Sequence, residues 1–275
     1  MQRGQTDRLL VQGNAILALL LALAAVAWAL LAWQNMGADM DMASPTMGMG
    51  APTFLAIWVI MMVAMMFPTA APMILTFHKV QASKRLRGEG FVATWVFVAA
   101  YMIVWTLSGV AAYAGALAAE AVAARASLSS TSAARIGGAI IIAAGLYQLT
   151  PLKDLCLSKC RTPISFIMTS WRDGAAGALR MGLLHGAYCL GCCWLLFLIL
   201  FPLGVMNLAA MAAITLVVLA EKSMRRRRAV ARVTAVALVA YGVVLLAAPQ
   251  VLPTSMASRG MVMTAPAAPA DMQPR

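Results

Sequence analysis

The chain has 275 residues, 63% hydrophobic and only 11% charged, with a mean hydropathy of +0.85. A soluble domain is about 45–50% apolar and about 25% charged, so this composition excludes a soluble core and reads as an integral membrane protein. Lysine and arginine total 21 against 9 acidic residues, a net charge of +12; at this hydropathy the excess points to loops facing anionic lipid, and no nucleic-acid partner is expected.

A bilayer core of about 30 Å takes about 20 apolar residues per helix. Seven stretches qualify: Asn14–Trp33, Phe54–Phe77, Phe91–Leu117, Ile136–Thr150, Met181–Pro202, Val205–Ala220 and Ala229–Ala248, the fourth and sixth being short. The expected fold is all-α, a polytopic transmembrane helix bundle of about seven spans over residues 14–248. It is preceded by a short cytoplasmic N-terminus (1–13) and followed by a Pro/Ala-rich, disordered extracytoplasmic tail (249–275). No internal repeat is visible.

The first span follows Arg3 and Arg8, as a signal peptide would. It exceeds the about 7–15 residues of a typical signal h-region and lacks a clean small-x-small cleavage site, so it reads as a retained helix with Trp33 at the interface. The loop after it, residues 34–53, contains "NMGADMDMASPTMGMG" and sets Met36, Met40, Met42, Met47 and Met49 in water beside Asp39 and Asp41. Core filling does not explain methionines in a polar loop. Thioethers and thiolates are the soft ligands that select Cu(I). The tail adds Met256, Met261, Met263 and Met272.

The second span reads "WVIMMVAMMFPTAAPMIL". Met62, Met65 and Met66 share a face, as do Met61 and Met65. Either they fill the core or, with Met65 central, they offer thioether ligands. Pro68 and Pro72 free backbone carbonyls and mark a possible kink. His78 ends this span and reads as interfacial.

After the fourth span, "TPLKDLCLSKCRTP" sets Cys156 and Cys160 at i, i+4, on one face if helical, among Lys153, Lys159 and Arg161. The fifth span carries "LLHGAYCLGCCWLLFLIL". Met181, His185, Cys189 and Cys193 recur every four residues, with Cys192 three after Cys189, so one stripe holds a thioether, an imidazole and three thiols. A polar stripe in a membrane helix faces the bundle interior or a cavity, and Gly182-x-x-x-Gly186 lets another helix approach. For His185, metal ligation and a hydrogen bond to a backbone carbonyl both fit. Glu221, next to Lys222 at the end of the sixth span, reads as a Lys222 partner, a metal ligand, a proton acceptor or a partner for His185.

Counted over seven spans, 17 of the 21 basic residues fall on one side. The positive-inside rule then puts the N-terminus in the cytoplasm and the C-terminus outside, in a bacterial inner membrane. "RRRR" at 225–228 reads first as a topology anchor, with a specific phosphoinositide or nucleic-acid site as the alternative. There is no phosphate loop, dinucleotide fingerprint, Ser-His-Asp signature or HExxH. The expected activity is therefore binding rather than catalysis.

The segments "WVIMMVAMMFPTAAPM", "YQLTPLKDLCLSKCRTP", "GLLHGAYCLGCCW" and "GVMNLAAMAAITLVVLAEK" together resemble the predicted metal-binding integral membrane proteins, a bacterial domain-of-unknown-function family also labelled copper chaperone. The resemblance runs from about Trp58 to Lys222. It implies a helical membrane protein that handles metal, with Cys156, Cys160, Cys189, Cys192, Cys193 and Glu221 as the motif residues. His185 and Met65 join the expected metal set on their spacing. The expected cargo is a soft metal ion, Cu(I), relayed within the membrane and exchanged with a periplasmic copper protein. The rival expectation is a thiol–disulfide carrier using Cys189/Cys192 and Cys156/Cys160.

Overall fold

The computed structural model describes residues 2–37 and 44–248, and among these every element is a helix. In chain order they are α1 (Gln2–Gly37), α2 (Ala51–Leu86), α3 (Thr94–Arg125), α4 (Ser130–Tyr147), α5 (Pro151–Arg161), α6 (Pro163–Ser170), α7 (Gly174–Leu198), α8 (Leu200–Leu203), α9 (Leu208–Ser223) and α10 (Arg227–Ala247). Each of the seven expected spans falls on a helix. Five helices (α1, α2, α3, α7 with α8, and α10) are long and apolar enough to cross a membrane. A sixth crossing arises if α4 and α5, bent by 63° at a short break, act as one span. The helix α9 has 16 residues, about 24 Å at 1.5 Å per residue, against the about 30 Å of a hydrocarbon core.

Helix α2 is the most buried of the long helices and forms the hub. It is continuous through Pro68 and Pro72. Proline at 68 supplies no N–H to the Ala64 carbonyl. That carbonyl instead accepts from the Trp28 indole at 3.1 Å, which docks α1 onto α2.

Helices α3 and α7 pack along Gly182 and Gly186. A Cβ at Gly182 would stand 2.4 Å from the Phe97 carbonyl oxygen, and one at Gly186 would stand 2.8 Å from Val104. Only glycine permits this approach. α4 packs chiefly on α10.

The loop before α2 folds inward. Glu120 near the end of α3 accepts from the Thr46 N–H at 2.9 Å and the Thr46 hydroxyl at 2.7 Å, and from the Ser44 hydroxyl at 2.5 Å. Met47, expected in water, is consequently only 4% exposed. Met49 is half-buried and Met36 exposed, while Met40, Met42 and the tail methionines lie outside the described residues. A cleft of about 1390 Å³ between α3, α4 and α7 runs from Ser44 and Glu120 to Gly191, walled by Trp58, Trp105 and Trp194.

Candidate metal centre

Local sequence sets where the thiols sit. Thr150 caps α5, its hydroxyl accepting from the Lys153 N–H at 3.3 Å, and Pro151 opens the helix without an N–H to satisfy. The helix turns Cys156 and Cys160 inward and Leu152 and Leu155 outward. Along α7 the whole stripe of Met181, His185, Cys189, Cys192 and Cys193 is buried, as its four-residue spacing requires. All five cysteines are free thiols.

The two cysteine groups lie on helices that pack together, α5 against α7, and all five thiols are buried. Cys156 rests against Gly191, where a Cβ would stand 2.9 Å from the sulfur. The Cys189 sulfur is the hub. It is 0% exposed, accepts from the Lys222 ammonium at 3.1 Å, and lies 3.2 Å from the Tyr101 hydroxyl. Lys222 also reaches the Thr69 hydroxyl at 3.2 Å, and that hydroxyl lies 3.8 Å from the Met66 sulfur. A charged donor and a hydroxyl thus both contact one buried sulfur. Met65 is fully buried on the same helix as Met66, but Met66 is the methionine joined to the hub through Thr69.

The remaining thiols point elsewhere. Cys192 and Cys193 donate to the Cys189 carbonyl at 3.1 and 2.8 Å. Among the described residues no three His, Cys, Asp or Glu side chains are already arranged around one point as a ligand set. The sulfurs share a buried region, and two of them hold the helix's own carbonyl.

His185 is 1% exposed. Its ring lies 5.8, 5.4 and 5.8 Å from the centroids of Phe97, Tyr101 and Phe166. Neither ring nitrogen has a hydrogen-bond partner among the described residues. The backbone-carbonyl bond that sequence left open is therefore not made, nor does Glu221 partner the ring.

Glu221 is held by Lys153. Both carboxylate oxygens accept from the Lys153 ammonium at 2.8 Å, and both side chains are buried. The Glu221–Lys222 pairing that adjacency allowed does not occur. Residues i and i+1 do not face each other on a helix, so Glu221 turns to α5 and Lys222 to α7. Sequence reasoning set Lys153 beside Cys156 and Cys160 and Lys222 beside Glu221 but missed their actual partners, Glu221 for Lys153 and the Cys189 sulfur for Lys222, and it missed Tyr101. The available signals were Lys153 close before Cys156 and Lys222 next to the motif residue Glu221.

The fold and site thus define a class: an all-helical protein with membrane-length apolar helices packed around buried thiols. Residues 55–245, more than half of the chain, match the family model PpoB2, described as copper chaperone, and the chain belongs to that family. No curated protein and no solved structure matches it.

Proposed function

We propose that this is a multi-pass protein of the bacterial inner membrane, N-terminus in and C-terminus out, that binds Cu(I) through its buried sulfurs and passes it on. The observation that carries this reading is the burial of the α5 and α7 thiols where the two helices pack, with Cys156 against Gly191 and the Lys222 ammonium and Tyr101 hydroxyl at the Cys189 sulfur. Isolated cysteines used as core filler have no need of an ammonium at the sulfur. A thiolate does, and a soft cation replaces that ammonium as counter-charge.

Loading requires small motions. Cys192 and Cys193 release the Cys189 carbonyl, and Lys222 moves from sulfur to Thr69, which it already contacts. His185, with two unpartnered nitrogens one turn from Cys189, adds a nitrogen ligand. Met65 and Met66 supply thioethers from α2. Glu221 acts through Lys153, neutralising a second buried charge and anchoring α5. The methionines around residues 36–49 exchange the ion with a periplasmic copper protein, and the cleft from Ser44 to Gly191 supports a route inward.

The test is copper per chain in purified protein, before and after Cys189, Cys192 and Cys193 are replaced by Ser. The reading expects Cu(I) bound by the parent and lost in the variants. Equal copper in both, or none in the parent after Cu(I) loading, overturns it.

A further inference from the structure

A second built pocket lies away from the thiols, at the arginine-rich end of the bundle. It has a volume of about 300 Å³ and sits where α4 ends, α5 begins and α10 begins. Gln148, the residue after α4, lines it, is 5% exposed, and has no hydrogen-bond partner for either amide atom among the described residues. A buried amide with both ends unmet is costly, so it marks a place where a polar ligand belongs.

The walls state the ligand's charge. Arg227, Arg228, Arg232 and Lys153 line the pocket against one acid, Asp154. Asp154 pairs with Arg227 at 3.3 Å and Arg228 at 3.9 Å, and Glu221 offsets Lys153. Two positive charges remain. The N-terminal ends of α5 and α10 add their partial positive charge. Arg226, at the cap of α10, makes no side-chain cap bond there, leaving first-turn N–H groups for a ligand. Beside these groups the exposed Leu149 lines the same pocket, and Leu152 follows it on the outside of α5. An anion with an apolar extension suits both surfaces.

We propose that this pocket binds the phosphate of an anionic phospholipid, with Gln148, Arg228 and Arg232 on the headgroup and the acyl chain against Leu149 and Leu152. The pocket would read a phosphate monoanion with a polar head, and free inorganic phosphate shares that chemistry.

The test uses the full chain in nanodiscs of phosphatidylglycerol mixed equally with phosphatidylcholine, with lipid retained on release read by native mass spectrometry. The expected result is selective retention of phosphatidylglycerol, reduced about tenfold in Arg232→Gln and in Gln148→Leu. Gln148→Leu is decisive, because it leaves every charge in place. General attraction of basic residues to anionic lipid persists in that variant, whereas a built site is lost. Far-UV circular dichroism and thermal midpoint confirm that both variants fold. Equal retention of the two lipids, or retention unchanged by Gln148→Leu, overturns the proposal. So does stabilisation by inorganic phosphate in lipid-free detergent without phosphatidylglycerol selectivity, which assigns the pocket to the free ion instead.

Discussion

The Lys153 ammonium donates to both oxygens of the Glu221 carboxylate at 2.8 Å, out of contact with solvent. This bond ties α5, the helix carrying Cys156 and Cys160, to α9. Removing one partner leaves the other charge buried and unpaired, at a cost of about 3–5 kcal/mol. Lys153→Met and Glu221→Gln are each expected to lower stability by that order. Lys153→Met with Glu221→Leu should recover most of the loss, because neither charge then needs compensation. Reversible unfolding in mixed micelles, read as a double-mutant cycle, measures the coupling.

Gly191 is a spacer for sulfur. Gly191→Ala places a methyl group 2.9 Å from the Cys156 sulfur, so the thiol must shift. Overpacking of this kind costs about 1–3 kcal/mol. The expected signature is faster alkylation of Cys156 by a small maleimide, together with lower copper per chain. Gly115→Ala, where nothing lies within 4 Å, should change neither.

His185→Phe separates ligand from filler. The ring sits among three aromatic side chains, so phenylalanine fits the cage and removes two unpartnered buried nitrogens. Stability is expected to hold or rise by about 1 kcal/mol. Copper affinity is expected to fall, as read by competition with a Cu(I) chelator of known affinity.

Trp28 and Pro68 are energetically linked. Trp28→Phe strips the Ala64 carbonyl of its donor at 3.1 Å, costing about 1 kcal/mol. Pro68→Ala restores a backbone N–H four residues along. The double variant should therefore be less destabilised than the sum of the singles, by the same unfolding cycle.

The Lys84 ammonium and then the Trp171 indole N–H, both hydrogen-bonded to Asp173, hold its carboxyl below the usual carboxylate range. A lowered folded value means the contribution is present above the unfolded value of about 3.9 and is lost as pH falls through the folded one. Asp173 is exposed, so the effect is small. Asp173→Asn should reduce the thermal midpoint at neutral pH, with the difference closing under acid conditions.

Periodicity made the α7 stripe readable, because a spacing of four on a helix leaves little freedom about which side chains share a face. The same holds for Gly182 and Gly186, now against α3. The charged partners were not readable. Lys153 and Lys222 look like ordinary basic residues at helix ends, and nothing local says that each extends inward to an atom from another helix. Of the roles open to Glu221, pairing with Lys222 rested on adjacency alone, and neighbouring residues diverge by about 100° around a helix of 3.6 residues per turn. Met47 looked solvated because Glu120, which folds its loop, lies 74 residues from Thr46. Helix lengths were also uneven. Local hydrophobicity marks α4 and α9 as apolar but says nothing of the bend that brings α5 to the sulfurs.

The bend between α4 and α5 has a consequence for biogenesis. Lys153 leaves the ribosome 68 residues before its carboxylate partner, so the group that receives its ammonium does not yet exist when α5 is made. The bond that seats α5 against α9 therefore closes only after most of the chain has been made. A chain that ends before α9 leaves the Lys153 ammonium without the carboxylate that balances it.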